Sequence, residues 1–551
     1  MQFISRIPWK IHDIRMEDER LKQIAKIIKV LFIVHESSLG GATWSLVDYI
    51  NVKDKRILPF IILPEGGQVE NIVRKIGVKY FIIPFKNGFG KIDNYTDEDV
   101  SSNFINNYRA AIKITEIVKQ ERIDIIHSNS SVIDVGAMVS AIANIPHVWH
   151  IREFMEEDFN WEYWDKNLKN RLFCCTNELI SVSDSVRDAF EAKYGFKSHR
   201  IYDGIAAVNS ENGELKIAKS NEFLFAGRIS ENKGQMDAVL AVKVLVEKGI
   251  DVKLYIIGNG NGQIKWVIDR FIKDNRLENN IEVIPYCEDL SIWRKRCSFS
   301  ITGSKMEALG RVTVEAMACG IIPIGTDTGG TGELIGKDGD RGFLYEYGNY
   351  EQLANKMIDA MYLSLDDRCA ILSRMQRYVE DSFRLDEYAQ RLYELYTRVE
   401  LEDEKSAKRE VLRKYLEERY SSLDMDYISK DSDERDYSTL RKRIQQDLAY
   451  IVKYCKDNSI ETAIIYGMGY VGCALYDVFE ANNIKVVGVM DRSQKYLGLV
   501  TTVINPGDDV QDADCIFITI IKDDHKIVEY MRQIYSIRII SVLALFEDNQ
   551  R

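Results

Sequence analysis

The chain has no long apolar run, no regularly spaced cysteines and no excess of basic residues, and each absence excludes a class of protein. No apolar run is long enough to span a bilayer, and the first residues lack the apolar core of a signal peptide. The nine cysteines occur singly except for Cys174 and Cys175, so neither a zinc site nor a disulfide framework is expected. A net charge of −12 argues against nucleic acid as a general partner. We therefore predict a cytoplasmic protein.

The chain of 551 residues is too long for one hydrophobic core, so about three domains are expected. Short apolar segments alternate with helical patterns, which indicates parallel βαβ units. A polar stretch at residues 209–221 divides this alternation into two halves. The pattern predicts an α/β fold of two Rossmann-like domains facing each other across a cleft. The predicted strands lie at residues 30–34, 60–63, 80–84, 123–127, 148–151, 179–182, 223–226, 252–257, 281–285, 299–302, 322–326 and 342–345.

The most informative segment is residues 304–320, which carries Glu307 and Glu315. Glu307 lies just before Gly310, on the turn that leaves a predicted strand, and Glu315 lies inside the apolar helix that follows. Backbone N–H groups and the positive end of a helix attract an anion at such an edge, while carboxylates accept hydrogen bonds from sugar hydroxyls. A nucleotide sugar carries both an anionic diphosphate and sugar hydroxyls, so it could bind at such an edge. The alternative is an ordinary buried helix in which Glu315 caps or pairs.

This segment resembles the glutamate-x7-glutamate motif of retaining GT-B glycosyltransferases, in the large family four that builds bacterial capsules, lipopolysaccharides and teichoic-acid glycans. The resemblance implies that Glu307 lies at the transferred sugar and that Glu315 binds the ribose hydroxyls of the donor. Family members usually have Gly-Phe-Gly after the first glutamate, whereas this chain has Ala308-Leu309-Gly310, so the match does not specify the sugar. Leu309 and Gly310 are expected to contact the donor.

Arg228 and Lys233 leave the first strand of the second domain together, within residues 227–234. A diphosphate leaving group gains negative charge in the transition state, and two nearby cations can stabilise it. The resemblance implies that Arg228 and Lys233 bind the donor diphosphate in place of a metal ion. The alternative is a pair of surface charges around a turn.

Three glycines and one histidine complete the site that the resemblance implies. Gly40 and Gly41 follow the first strand, and without side chains they let the backbone approach the donor phosphates or the acceptor. The backbone of Gly258, after another strand, is implied to flank the nucleotide. His150 matches a family histidine that faces the sugar, although a histidine on a strand is more often a satisfied core group. The aromatic and acidic segment 154–164 is interpreted either as an acceptor groove or as a packed loop.

A separate glycine motif, Gly467, Gly469 and Gly472, lies between a predicted strand at residues 463–466 and a predicted helix. A second predicted strand ends at Asp491, at the spacing of the dinucleotide-binding fingerprint. No substrate half follows this unit. We therefore predict an accessory nucleotide-binding, regulatory or assembly module.

The predicted plan has six parts. A charged helical linker is expected after the second domain, and its two Asp-x-Asp matches, at 424–426 and 431–433, are interpreted as solvated surface. The resemblance implies that the helix before this linker crosses back to the first domain. The parts are an N-terminal helical extension (1–29), the acceptor-side domain (30–208), the donor-nucleotide domain (209–382), the crossover helix (383–400), the linker (401–460) and the Rossmann-like accessory domain (461–551).

Together these features predict a retaining, metal-independent glycosyltransferase that needs no cofactor and uses a UDP-, GDP- or dTDP-linked sugar. The acceptor is left open among a glycan, a lipid-linked molecule and a protein, within bacterial surface-glycan synthesis. Two alternatives remain: a catalytically inactive partner subunit, and a nucleotide- or NAD-dependent sugar-modifying enzyme acting through residues 461–551. Contact of residues 1–29 with the inner face of the membrane is left open, as is an oligomer formed through that extension, the linker or the C-terminal domain.

Overall fold

The structure is a computed structural model that describes residues 27–91, 95–206, 220–260, 262–423, 437–492, 496–520 and 524–548. Nearly all of the predicted N-terminal extension and both Asp-x-Asp matches lie outside these residues. The described residues form three parallel sheets and their covering helices.

The first domain is built on a seven-stranded sheet whose neighbouring strands are all parallel. Its strands are largely buried apolar runs, as expected for a parallel sheet covered by helices on both faces. Across the sheet the strands are Lys79–Ile82, Ile57–Leu63, Ile28–Ile33, Ile125–Ser128, His147–Ile151, Glu178–Ser181 and His199–Arg200. The helices are Gly41–Asn51, Gln68–Ile76, Asp97–Glu121, Val135–Ala143, Glu156–Phe159, Lys166–Cys175 and Asp184–Tyr194, and a separate antiparallel pair joins Phe89–Lys91 to Trp161–Tyr163.

The second domain is built on a six-stranded parallel sheet. Across the sheet the strands are Ile281–Ile284, Lys253–Ile257, Glu222–Ala226, Phe299–Thr302, Ile322–Thr326 and Phe343–Tyr345. The helices are Glu231–Lys233, Gln235–Glu247, Gln263–Asp274, Ser291–Arg296, Arg311–Ala318, Gly329–Ile335, Tyr350–Met361 and Leu365–Ser382. The predicted α/β class with two Rossmann-like domains is confirmed. Strand bounds differ from the predicted ones by at most three residues, and the short strand His199–Arg200 was not predicted.

Two segments connect these domains, and they lie side by side. Ile205 forms an isolated parallel bridge with Arg384, and the Ile205 N–H donates to the Phe383 carbonyl at 3.0 Å. Helix Leu385–Leu401 follows and packs on the first domain, where the Tyr396 hydroxyl lies 2.7 Å from Nδ1 of His127. The chain therefore returns to the first domain after completing the second.

Helix Ser406–Ser422, within the segment predicted as a linker, packs on helices of the first domain. Arg409 is fully buried, and its guanidinium donates to the side chains of Asp403, Asn144 and Asn177. The helix was predicted, but its packing on the first domain was not. The charged composition of the segment indicates an exposed helix and does not show which of its residues are buried.

The third sheet has four parallel strands and docks on the second domain. Arg270 donates two hydrogen bonds to Glu480, at 2.9 and 2.6 Å, and the Trp266 indole N–H donates to Asp477 at 2.8 Å. Across the sheet the strands are Lys485–Met490, Thr462–Tyr466, Cys515–Ile518 and Arg538–Ser541, and the helices after Ser422 are Tyr437–Asp457, Tyr470–Ala481, Leu497–Leu499, Asp524–Ile534 and Val542–Asp548.

Among the residues that the structure describes, none of the helices has the length and apolar character needed to cross a membrane.

Candidate active site

Glu307 and Lys233 form an ion pair beside the carboxyl edge of the second sheet. The Glu307 carboxylate accepts hydrogen bonds from the Lys233 ammonium at 2.7 Å and from the Ser304 hydroxyl at 2.6 Å. Burial by itself raises the pKa of Glu307, but Lys233 and Ser304 more than offset it, so the pKa lies below its usual value. Burial opposes the charge of Lys233, yet Glu307 holds its pKa above the usual value. Both groups are therefore charged at neutral pH.

A close backbone contact brings the basic loop, residues 227–234, to the turn that carries Glu307. Gly234 has a φ of +74°, and a β-carbon there would lie 2.2 Å from the carbonyl oxygen of Gly303. The Lys305 N–H donates to the Asn232 carbonyl at 2.8 Å, which ties the turn to the loop. Only glycine fits this approach, so Gly234 helps to place Lys233 against Glu307.

Arg228 is exposed at the start of the basic loop and faces the first domain. Burial by itself raises the pKa of Glu36 in the first domain, but His35 and, to a smaller extent, Arg228 bring it below its usual value. Gly258 supports this loop from behind, because a β-carbon at Gly258 would lie 1.9 Å from the carbonyl oxygen of Gly227. The predicted role of Gly258 beside the nucleotide is not tested by this contact.

Gly40 and Gly41 lie at the first turn of helix Gly41–Asn51, on the opposite side of the cleft. A β-carbon at Gly40 would lie 2.6 Å from a carboxylate oxygen of Glu36, and one at Gly41 would lie 3.9 Å from Cδ of Arg311. The two glycines thus leave room in the narrow space between the domains.

Glu315 lies on helix Arg311–Ala318 and is held by two arginines. Arg294 donates to one carboxylate oxygen, and Arg311 lies 3.7 Å from the other. Arg311 also forms an ion pair with Asp48 of the first domain at 2.5 Å. No role was predicted for Arg294 or Asp48, because neither lies in a recognised motif.

Leu309 and Gly310 shape the turn before this helix. Gly310 has a φ of +89°, a conformation that favours glycine, and Leu309 is buried in the core. The Glu307 carbonyl accepts a hydrogen bond from the Gly330 N–H at 2.6 Å. Contact between Leu309 and a donor must therefore come from its backbone.

The His150 side chain is fully enclosed in the first domain, and its ring centre lies 5.7 Å from that of His127. Burial, with the nearby charge of Arg152, holds the pKa of His150 well below its usual value. Nδ1 therefore accepts a hydrogen bond from Arg152 at 3.0 Å, since arginine can only donate. Nε2 of His150 has no hydrogen-bond partner among the described residues, and its role at the sugar stays a prediction.

Arg152 connects His150 to the segment that joins the two domains and to the first turn of helix Gly41–Asn51. Its guanidinium donates to both oxygens of Asp203 at 2.8 Å and to the Asn129 side chain at 3.1 Å. Asn129 in turn donates to the Ala42 carbonyl at 2.9 Å. Arg152 thus connects His150 to the start of helix Gly41–Asn51.

The C-terminal glycine motif is a separate feature. Gly467 has a φ of +95°, and a β-carbon at Gly472 would lie 2.0 Å from the Gly467 carbonyl oxygen. Gly469 precedes the first residue of helix Tyr470–Ala481. The Asp491 carboxylate accepts a hydrogen bond from the Met468 N–H at 2.5 Å and so closes the turn itself. Binding of a dinucleotide by this turn stays a prediction.

No group of three or more histidine, cysteine, aspartate or glutamate side chains able to hold a metal ion occurs among the described residues.

Two family models match the two domains in order. "Glycosyltransferase Family 4" matches residues 97–207, and "Glycosyl transferases group 1" matches residues 209–376. An uncharacterized glycosyltransferase of Methanocaldococcus jannaschii is 27% identical over 337 residues, covering 55% of this chain and 88% of the relative. The UDP-Gal:alpha-D-GlcNAc-diphosphoundecaprenol alpha-1,3-galactosyltransferase of Escherichia coli is 22% identical, covering 49% of this chain and 77% of the relative.

Solved structures agree with the fold. Anabaena HepE in complex with UDP superposes with a TM-score of 0.55 at 21% identity, covering 67% of this chain and 99% of HepE. At this identity the likeness establishes the fold alone. With two parallel-sheet domains, a cleft that holds the glutamate motif and both family models matched in order, the chain belongs to the GT-B glycosyltransferases.

Proposed function

We propose that this glycosyltransferase retains the anomeric configuration, needs no metal ion and acts in bacterial surface-glycan synthesis. The observation that carries the proposal is the ion pair of Lys233 and Glu307 beside the exposed Arg228. This arrangement offers two cations to a diphosphate and a carboxylate to a sugar in one small space.

The proposed donor site assigns each group one part of a nucleotide sugar. Arg228 and Lys233 bind the diphosphate and stabilise the charge that it gains on leaving. Glu307 accepts hydrogen bonds from sugar hydroxyls, and Glu315, already oriented by Arg294, accepts them from the ribose. The backbones of five further residues contact the donor: Gly40, Gly41, Gly258, Leu309 and Gly310.

Transfer with retention requires attack on the face from which the diphosphate leaves. The acceptor oxygen bonds to the anomeric carbon while the bond from that carbon to the diphosphate oxygen breaks. The hydroxyl proton of the acceptor passes to the leaving phosphate. Lys233 and Arg228 favour this step because negative charge grows beside them. His150, whose Nδ1 is bound to Arg152, keeps its predicted role of orienting the sugar together with Glu307.

A UDP-linked sugar is the first donor to test. The Escherichia coli relative is named for UDP-Gal and a diphosphoundecaprenol acceptor, and HepE has been solved with UDP-glucose. GDP- and dTDP-linked sugars stay in the panel. A cytoplasmic location and contact with the membrane face remain proposals.

The test is a panel of UDP-, GDP- and dTDP-sugars incubated with the purified full chain, with slow hydrolysis followed by chromatography. NMR of the product released from the preferred donor gives its anomeric configuration. We expect one nucleotide class to be cleaved with retention. Cleavage with inversion refutes the stereochemical proposal, and failure to bind or cleave any donor, with NAD bound instead, favours the sugar-modifying alternative.

A further inference from the structure

One carboxylate of the first domain reaches the donor loop of the second. Asp158 lies on the acidic turn, the short helix Glu156–Phe159, and its Oδ1 accepts a hydrogen bond from the Asn232 amide at 2.7 Å. Asn232 directly precedes Lys233. Within the described part of the chain, Oδ2 of Asp158 accepts no hydrogen bond. Asp158 thus lies close enough to the Lys233 and Glu307 pair for both of their charges to act on it.

The surroundings of Asp158 suit a group that exchanges hydrogen bonds with a substrate. Burial, aided by the charge of Glu307, raises its pKa to about 6 against the opposing effects of Asn232, Lys233 and Lys305. A carboxylate held in such a place gains from a hydroxyl donor, because burial has removed much of its water. The donor site proposed above leaves Asp158 without a role.

A cavity of about 250 Å³ is lined by Glu156 of the same acidic turn. Glu156 pairs with Lys193 at 2.8 Å. The half-buried ring of Tyr194 supplies an apolar face, and charged side chains supply hydrogen-bond donors and acceptors, a mixture suited to a sugar ring. The lining includes Glu156, Glu162, Tyr163, Lys166, Lys193 and Tyr194.

We propose that Asp158 binds a hydroxyl of the reacting sugar of a glycan acceptor, next to the hydroxyl that attacks, and that this cavity holds the adjoining sugar of the same acceptor. The inference rests on the proposed function. By accepting this hydrogen bond, Asp158 holds the acceptor with the attacking oxygen near the anomeric carbon, and the proton of the attacking hydroxyl passes to the leaving diphosphate. The acidic turn thereby joins the acceptor cavity to the donor site, and a glycan is favoured over a protein or a bare lipid.

The experiment compares donor hydrolysis by water with transfer to sugars in the full chain. The acceptor probes are p-nitrophenyl glucoside and N-acetylglucosaminide and the corresponding cellobioside and chitobioside, with the preferred nucleotide sugar as donor. For Asp158→Asn we expect kcat/KM for transfer to fall about 10²-fold, while hydrolysis and nucleotide affinity stay near those of the parent. For Tyr194→Ala we expect a higher KM for the disaccharide probes and little change for the monosaccharides.

Two further variants separate this role from structural ones. Asp188→Asn removes an exposed carboxylate of the same domain, paired only with Arg187 among the described residues, and should leave transfer unchanged. Asn232→Ala breaks the bond between the domains; if it reproduces the whole effect of Asp158→Asn, Asp158 acts through closure of the cleft and the inference is wrong.

The outcomes distinguish the inference from the function on which it rests. Loss of transfer with hydrolysis retained supports it. Equal loss of both, or no loss of either, overturns it while the glycosyltransferase proposal stands. Transfer to a lipid diphosphate or peptide probe, with no glycoside accepted, overturns the glycan assignment. If the parent chain cleaves no nucleotide sugar, the proposed function fails and this inference fails with it.

Discussion

Replacement of Lys233 by methionine tests the donor site most directly. Methionine keeps much of the side-chain length but removes the charge that lies 2.7 Å from Glu307. At an effective dielectric constant of 20, two charges at that distance attract by about 6 kcal/mol, most of which offsets their desolvation. The side chains of Lys233 and Glu307 are 27% and 20% exposed, so loss of the pair should destabilise the fold by less than the ~3–5 kcal/mol of a fully buried pair.

The effect on the donor should be larger, because the variant loses a cation and leaves an unpaired carboxylate facing the diphosphate. Removal of one preorganised charge contact lowers the rate by about 10²–10³, or ~2.7–4 kcal/mol. We therefore expect kcat/KM of Lys233→Met to fall about 10³-fold, with UDP affinity also reduced. Adding Glu307→Gln to this variant should restore part of the UDP affinity, since it removes the repulsion.

The assay is calorimetric titration of UDP, which needs no sugar contact, combined with steady-state donor cleavage. Lys243→Met is the matched control, because Lys243 pairs with Glu247 on the helix that follows the basic loop. Circular dichroism checks that each variant is folded. Unchanged UDP affinity and turnover in Lys233→Met would refute the placement of the diphosphate.

Four further results are expected. Glu315→Gln should weaken nucleotide binding without unfolding the chain, measured by the same titration; unaltered affinity would contradict its role at the ribose. Excess EDTA should leave transfer nearly unchanged, and loss that Mg²⁺ or Mn²⁺ restores would disprove metal independence. Transfer should decline as pH falls through about 6, because Asp158 becomes protonated there, and the decline should vanish in Asp158→Asn; an identical pH profile in both would exclude Asp158 as its source. A chain ending at residue 423 should bind donor, whereas one ending at residue 400 loses two buried leucines, Leu412 and Leu416, and should be less stable by up to ~3–6 kcal/mol in thermal unfolding; a folded 423-residue chain without donor binding would move the donor site elsewhere.

Much of the fold was predictable because local patterns determine it. Buried runs such as Ile28–Ile33 alternate with amphipathic helices, and this rhythm specifies parallel sheets before any contact is known. The turn that carries Glu307 was also predictable, since Gly310 requires a conformation that few other residues adopt.

The contacts between the domains were not predictable in the same way. Arg311 was visible in the glutamate motif, but its partner Asp48 is more than 200 residues away. Asp158 lies in segment 154–164, whose sequence was compatible with either an acceptor groove or a packed loop. The enclosure of His150 was not predictable either, because the burial of a strand residue depends on how the crossover helix covers the sheet.

The tail after the crossover helix is anchored on both sides of the cleft. Helix Ser406–Ser422 is fixed to the first domain, while the third sheet is fixed to the second domain through Arg270 and Trp266. Opening of the cleft must therefore change the separation between residue 423 and helix Tyr437–Asp457. Relative movement of the two domains is therefore coupled to movement of the tail.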